Sequence, residues 1–78
     1  MSTQTIKSLD FKGLSCPMPI VNTAKVLKQL DPAAVVEILA TDPGSVPDFK
    51  AWCKATGNEL VESSEEGGVY RFVIRKKG

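Results

Sequence analysis

Cys16 stands directly ahead of Pro17, Met18 and Pro19, with Gly13, Leu14 and Ser15 leading into it. A thiol reacts as its thiolate, and proline opens a helix but breaks its interior, so this order predicts a thiol at a helix mouth. There the unpaired N–H groups of the first turn and the positive end of the helix dipole are expected to stabilise the sulfur anion and make it a better nucleophile. The chemistry indicated is sulfur handling. The alternative is a small buried, inert cysteine, since free cysteine is among the most buried residue types. A loop-to-helix junction between a polar serine and a proline argues against it.

The other reactive residues narrow the mechanism. The chain has no histidine, so neither a Cys-His nor a Ser-His pair, nor the usual His-containing metal sites, can be built within it. Two cysteines are too few for a disulfide scaffold or an all-cysteine zinc site, and no metal or cofactor is expected. Cys53 reads as core, about eight residues into a second helix and so roughly 12 Å from its start. As a resolving thiol for Cys16 it is too distant if both helices start at one edge, because a disulfide needs Cα atoms within about 7 Å. Asp42 begins an Asp-Pro-Gly turn and reads either as a turn residue or as a polar neighbour of the thiol. Near Cys16 its charge would raise the thiol pKa, so it is a poor activator. Leu14 and Met18 flank the cysteine as an apolar docking rim, although Met18 reads equally well as core.

The elements that position these residues follow from pattern. Ile6 to Phe11 reads as a first strand running into the Gly13 turn, and Pro17 suits the first helical position. Ile20, Ala24, Leu27 and Leu30 then recur at helical spacing over about four turns until Asp31-Pro32. Ala34 to Ala40 predicts a central strand with Val36, Ile38 and Ala40 facing the helices and Glu37 turned away. Ser45 with Asp48 resembles a capping pair at the head of a second helix whose packed face is Val46, Phe49, Trp52, Cys53 and Thr56, closed by Gly57-Asn58. Glu59 to Ser64 and Val69 to Lys76 read as antiparallel strands joined through Glu65-Glu66-Gly67-Gly68. In the last strand Tyr70, Phe72 and Ile74 alternate with Arg71, Val73 and Arg75, a sheet covered on one face.

The expected architecture is a β-α-β-α-β-β two-layer α/β sandwich, a mixed four-stranded sheet with two helices on one face, forming a single domain over residues 1–78. Cys16 and the Thr41-Asp42 turn are expected at the same edge, beyond the carboxyl ends of the first two strands. The ten basic and nine acidic residues give a formal charge of +1, which offers no footprint for tight nucleic-acid binding. No apolar run is long enough for a signal peptide or a membrane span, so a cytoplasmic protein is expected, with no membrane partner.

The C-P-M-P run at Cys16 to Pro19, preceded by L-D-F-K-G-L at Leu9 to Leu14, resembles the signature of the TusA (SirA-like) sulfur carrier family. Thr41-Asp42-Pro43, Gly57-Asn58-Glu59-Leu60 and the closing Phe72-Val73-Ile74-Arg75-Lys76 also match, so the resemblance spans nearly the whole chain. It implies that Cys16 accepts sulfane sulfur as a persulfide from a protein donor, a cysteine desulfurase or a rhodanese-like protein, and relays it to a protein acceptor. The pathways it implies are tRNA thiolation, cofactor assembly or oxidative sulfur metabolism. Two other classes stay open on the residues alone: a thiol redox protein cycling a Cys16–Cys53 disulfide, against which the missing C-x-x-C speaks, and a non-catalytic interaction module.

Overall fold

The computed structural model describes residues 7–15 and 17–77; Ile6, expected at the head of the first strand, and Cys16 lie outside the described residues. The elements are β1 (Lys7–Asp10), α1 (Met18–Lys28), β2 (Val35–Ala40), α2 (Ser45–Thr56), β3 (Glu59–Glu66) and β4 (Val69–Arg75), in the order expected. They form a four-stranded sheet in the order β1-β2-β4-β3. β1 is parallel to β2, and β4 is antiparallel to both β2 and β3. The parallel pair requires a crossover, which α1 supplies.

Strand alternation puts Leu9, Val36, Ile38, Ala40, Phe72 and Ile74 on one face, where Leu27 of α1 and Phe49 and Cys53 of α2 complete the core. Phe49 and Phe72 pack with ring centroids 4.6 Å apart, and Trp52 meets the Phe49 ring edge-on at 6.2 Å. On the other face Glu37 is bonded by Ser8 and Arg71, and Arg71 also pairs with Glu62 at 2.9 Å. That face is not uniformly wet: Val35 and Val73 are also buried. Val73 lies between Glu37 and Glu62 in register, so long charged side chains flank it on both sides.

Several boundaries depart from the sequence expectation. Pro17 is the N-cap of α1, not its first residue, and the helix has 11 residues, three turns where four were expected. It ends early because Gln29 and Leu30 donate to Val26 and Leu27 in tighter, three-residue steps. The buried stripe of α1 is Pro19, Thr23 and Leu27; Ile20 and Leu30 pack only partly against the core. Lys76 Nζ donates to the Leu30 carbonyl at 2.6 Å, satisfying a carbonyl just past the C-terminus of α1.

Ser45 does not cap α2. It is the first helical residue, Gly44 is the N-cap with φ −62°, and no side chain caps the end. Gly57 does close the helix as expected, with φ +84° and its N–H on the Cys53 carbonyl. Thr56, expected on the packed face, is exposed and donates its hydroxyl to the Trp52 carbonyl at 2.8 Å. β3 runs on to Glu66, and the hairpin turn is Gly67-Gly68 alone, with φ +60° and +86°. Two consecutive positive φ values are the turn geometry that matches strand twist, which no side-chain-bearing pair adopts as readily.

Candidate functional site

The loop between β1 and α1 is built on backbone hydrogen bonds. Phe11 N–H donates to the Leu39 carbonyl at 2.8 Å, carrying the β1–β2 ladder one step past Asp10. Lys12 N–H donates to Asp10 Oδ1 at 3.1 Å, and Leu14 N–H to the Phe11 carbonyl at 3.1 Å. Between them Gly13, at φ +87°, donates its N–H to Thr41 Oγ1 at 3.0 Å. The loop after β1 and the turn after β2 therefore lie side by side at Gly13 and Thr41, while the expectation that Cys16 shares this edge falls outside the described residues.

Beyond Cys16 in sequence, Met18 N–H donates to the Ser15 carbonyl at 2.8 Å and Val21 N–H to the Pro17 carbonyl at 3.1 Å. These bonds alter one expectation. Of the first-turn amides that would face an anion, those of residues 17 and 19 are missing because both are proline, and that of Met18 is taken by Ser15. Three of the four orphan donors a helix start normally offers are thus deleted or already taken. Whatever stabilisation the helix end gives an anion comes chiefly from its aligned peptide dipoles, not from a cradle of N–H groups. No acidic residue occupies the first turn to cancel that field, while Lys25 and Lys28 sit in the last turn.

Gly13, Ser15, Pro17 and Met18 are exposed, Leu14 is half-buried and Pro19 is buried. Met18, which read equally as rim or core, is 43% exposed, so it is not core. Asp42 behaves as the turn residue it resembles: Oδ1 accepts the Gly44 N–H at 3.0 Å, and its carbonyl accepts the Ser45 N–H at 2.9 Å. Those two bonds hold the amides that a capping side chain would otherwise have satisfied, which is why Ser45 turns inward instead. Thr41, which sequence reasoning treated only as the start of a turn, is the side chain that joins the two loops. Its signal was a hydroxyl at the strand's end, too common a feature to single out.

Cys53 is a free, buried thiol in the last part of α2, and burial pushes its pKa up to about 11. A thiol so placed resists becoming the thiolate that exchange chemistry needs. Among the described residues no three His, Cys, Asp or Glu side chains lie together as a metal site. A groove of about 360 Å³ lined by Leu27, Lys28, Trp52, Asn58 and Lys76 lies at the opposite end of the helices from the loops. No helix of the described residues is long and apolar enough to cross a membrane.

With this geometry in place, comparison with known proteins identifies the family. Residues 7–76 match the family described as Sulfurtransferase TusA. The chain belongs to the TusA family. Among TusA-family relatives, the sulfur carrier protein TusA of Allochromatium vinosum is 51% identical over 70 residues, covering 90% of this chain and 92% of that one. The putative sulfur carrier protein YrkF of Bacillus subtilis is also 51% identical over 70 residues, but the chain spans only 38% of that longer protein. In three dimensions the SirA-like protein of Desulfitobacterium hafniense superposes with a TM-score of 0.81 at 23% identity, over 94% of this chain and 100% of that one. The TusA-family fold is thus shared even where sequence identity is low.

Proposed function

We propose that the protein is a sulfur carrier in which Cys16 accepts sulfane sulfur as a persulfide and passes it to an acceptor protein. The observation that carries this reading is family membership over residues 7–76, in a chain whose cysteine at position 16 is flanked by exposed Ser15 and Pro17. In the proposed step the Cys16 thiolate attacks the terminal sulfur of a donor persulfide, R–S–SH. A new S–S bond forms at Cys16 as the donor's S–S bond breaks, the donor leaves as R–S⁻, and the proton stays on the transferred sulfur. No net oxidation occurs. Delivery is the same exchange, with Cys16 as the leaving thiolate and the acceptor's thiolate as nucleophile.

In this reading Gly13 sets the turn into the loop, Ser15 and Pro17 hold the chain on either side of the thiol, and Pro19 anchors the helix start in the core. Leu14 and Met18 offer apolar contact to donor and acceptor proteins, and Asp42 shapes the adjoining turn. The donor is a persulfide-bearing protein such as a cysteine desulfurase or a rhodanese-like protein. A compartment that keeps thiols reduced, such as the cytoplasm, suits the exchange.

Incubation with a cysteine desulfurase and cysteine, or with polysulfide, is expected to add one reducible sulfur by intact mass. Cys16→Ser is expected to abolish loading and Cys53→Ser to retain it. Loading that survives Cys16→Ser would remove the assignment. Trapping mixed disulfides at Cys16 then identifies the donor and acceptor.

A further inference from the structure

The amides of residues 11 to 14 all donate hydrogen bonds, but they do different work. Those of Lys12 and Leu14 reach acceptors two and three residues back, which fixes the loop's shape but not its placement. That of Phe11 belongs to the strand ladder at the loop's root. Beyond that root, the Gly13 N–H reaches from the loop into a segment 28 residues along the chain, and its acceptor is the single side-chain atom Thr41 Oγ1 at 3.0 Å. Thr41 is well placed for this. It follows directly on fully buried Ala40 and precedes the turn that Asp42 closes by accepting from Gly44 and Ser45. The acceptor therefore stands on a fixed base while the donor lies in an exposed loop.

We propose that Thr41 is a positioning residue for Cys16: by accepting the Gly13 N–H, its hydroxyl holds the loop that leads to the thiol in register with the β2–α2 turn. This rests on the sulfur-carrier reading above, and it concerns the rate at which the thiol meets a donor, not the capacity to carry sulfur. Gly13 cannot take over the task by itself. Open space surrounds its Cβ position, so its φ of +87° permits the bend without anchoring it.

Thr41→Val keeps the shape and β-branching of the side chain and removes the acceptor. Water can replace that acceptor at an exposed site, so the expected effect is about two- to tenfold, the range a single net hydrogen bond supports. In Thr41→Val the Gly13 amide is expected to exchange with solvent faster by that factor while the β2–β4 amides stay protected. Alkylation mapped to Cys16 is expected to slow, with its pH profile displaced, and polysulfide loading is expected to reach the same single-sulfur endpoint more slowly. Thr41→Ser, which restores a hydroxyl, is expected to recover all three.

The outcomes separate the two claims. A wild-type protein that takes up no sulfur at Cys16 removes the carrier reading whatever Thr41 does. Normal loading with Thr41→Val matching wild type in rate and alkylation profile overturns the positioning role and leaves the carrier reading standing. Loss of β2–β4 protection in both Thr41→Val and Thr41→Ala also overturns it, because Thr41 would then be supporting the fold itself.

Discussion

Cys53 is a thiol that folding has removed from chemistry. Its side chain is buried against the sheet and its pKa is pushed up to about 11 by burial alone. At pH 8 only about one part in a thousand would be thiolate, and access is closed as well. Iodoacetamide at that pH is expected to leave Cys53 unmodified in the native protein and to label it once urea unfolds the chain. Rapid native labelling at Cys53 would revive a redox cycle between the two cysteines. The contrast with residues 13–15 and 17–18 is one of backbone as much as exposure. The prolines at 17 and 19 fix direction on the far side of Cys16, yet they also delete the amides that a helix start would present to an anion.

At the scale of elements, α1 packs through a stripe that includes a hydroxyl. Thr23 is fully buried with no hydrogen-bond partner for Oγ1 among the described residues, and Ser45 at the start of α2 is in the same condition. An unsatisfied buried hydroxyl costs about 1–3 kcal/mol. Thr23→Val, which swaps that hydroxyl for a methyl, is expected to raise the unfolding free energy by about 1 kcal/mol in urea titration. A loss of similar size would mean that the hydroxyl is bonded in solution. The same residues show what was legible in the sequence. β2 and β4 announced themselves because a sheet covered on one face must alternate, and Val36, Ile38, Phe72 and Ile74 do so. The stripe of α1 did not, because proline at position 19 reads only as part of the helix opening and threonine at position 23 as polar, and only tertiary packing decides that they turn inward. Ser45 misled for a related reason: its capping pattern was real, but the Asp42 turn had already taken the local amides. Ala33, at φ +70°, gave no sign at all, since its N–H bonds the carbonyl of Lys76, distant in sequence and just past the end of β4. At the site, the sequence placed Cys16 and the Thr41-Asp42 turn at one edge but did not indicate that Thr41 would bond Gly13, because a hydroxyl's partner is a matter of three-dimensional register.

Across the whole molecule, the open face of the sheet is organised by charge. Hydrogen bonds from Arg71 first, and then Ser8, hold the Glu37 carboxyl below its ordinary 4.5. A carboxyl depressed in the folded state stabilises that state above its unfolded pKa, and the contribution is lost as pH falls through the folded value. Glu37→Gln is therefore expected to flatten the acid limb of stability, its urea midpoint lying below wild type at pH 7 and converging with it well below pH 4.5. Parallel curves would show that the pairing is merely surface charge, worth little in solution. The Gly67-Gly68 hairpin has a different consequence, one of time. β3 and β4 are paired and joined directly by that turn, whereas the β1–β2 pairing spans α1 and the β2–β4 pairing spans α2 and β3. Hairpins close in about 1–10 μs, whereas pairings that enclose long loops wait on chain entropy. β2 makes only such pairings, and the Gly13–Thr41 bond joins residues 28 apart in sequence as well. The edge that holds the loop between β1 and α1 is thus expected to be among the last parts of the molecule to form and the first to open, so a chain can look largely folded before that edge is in place.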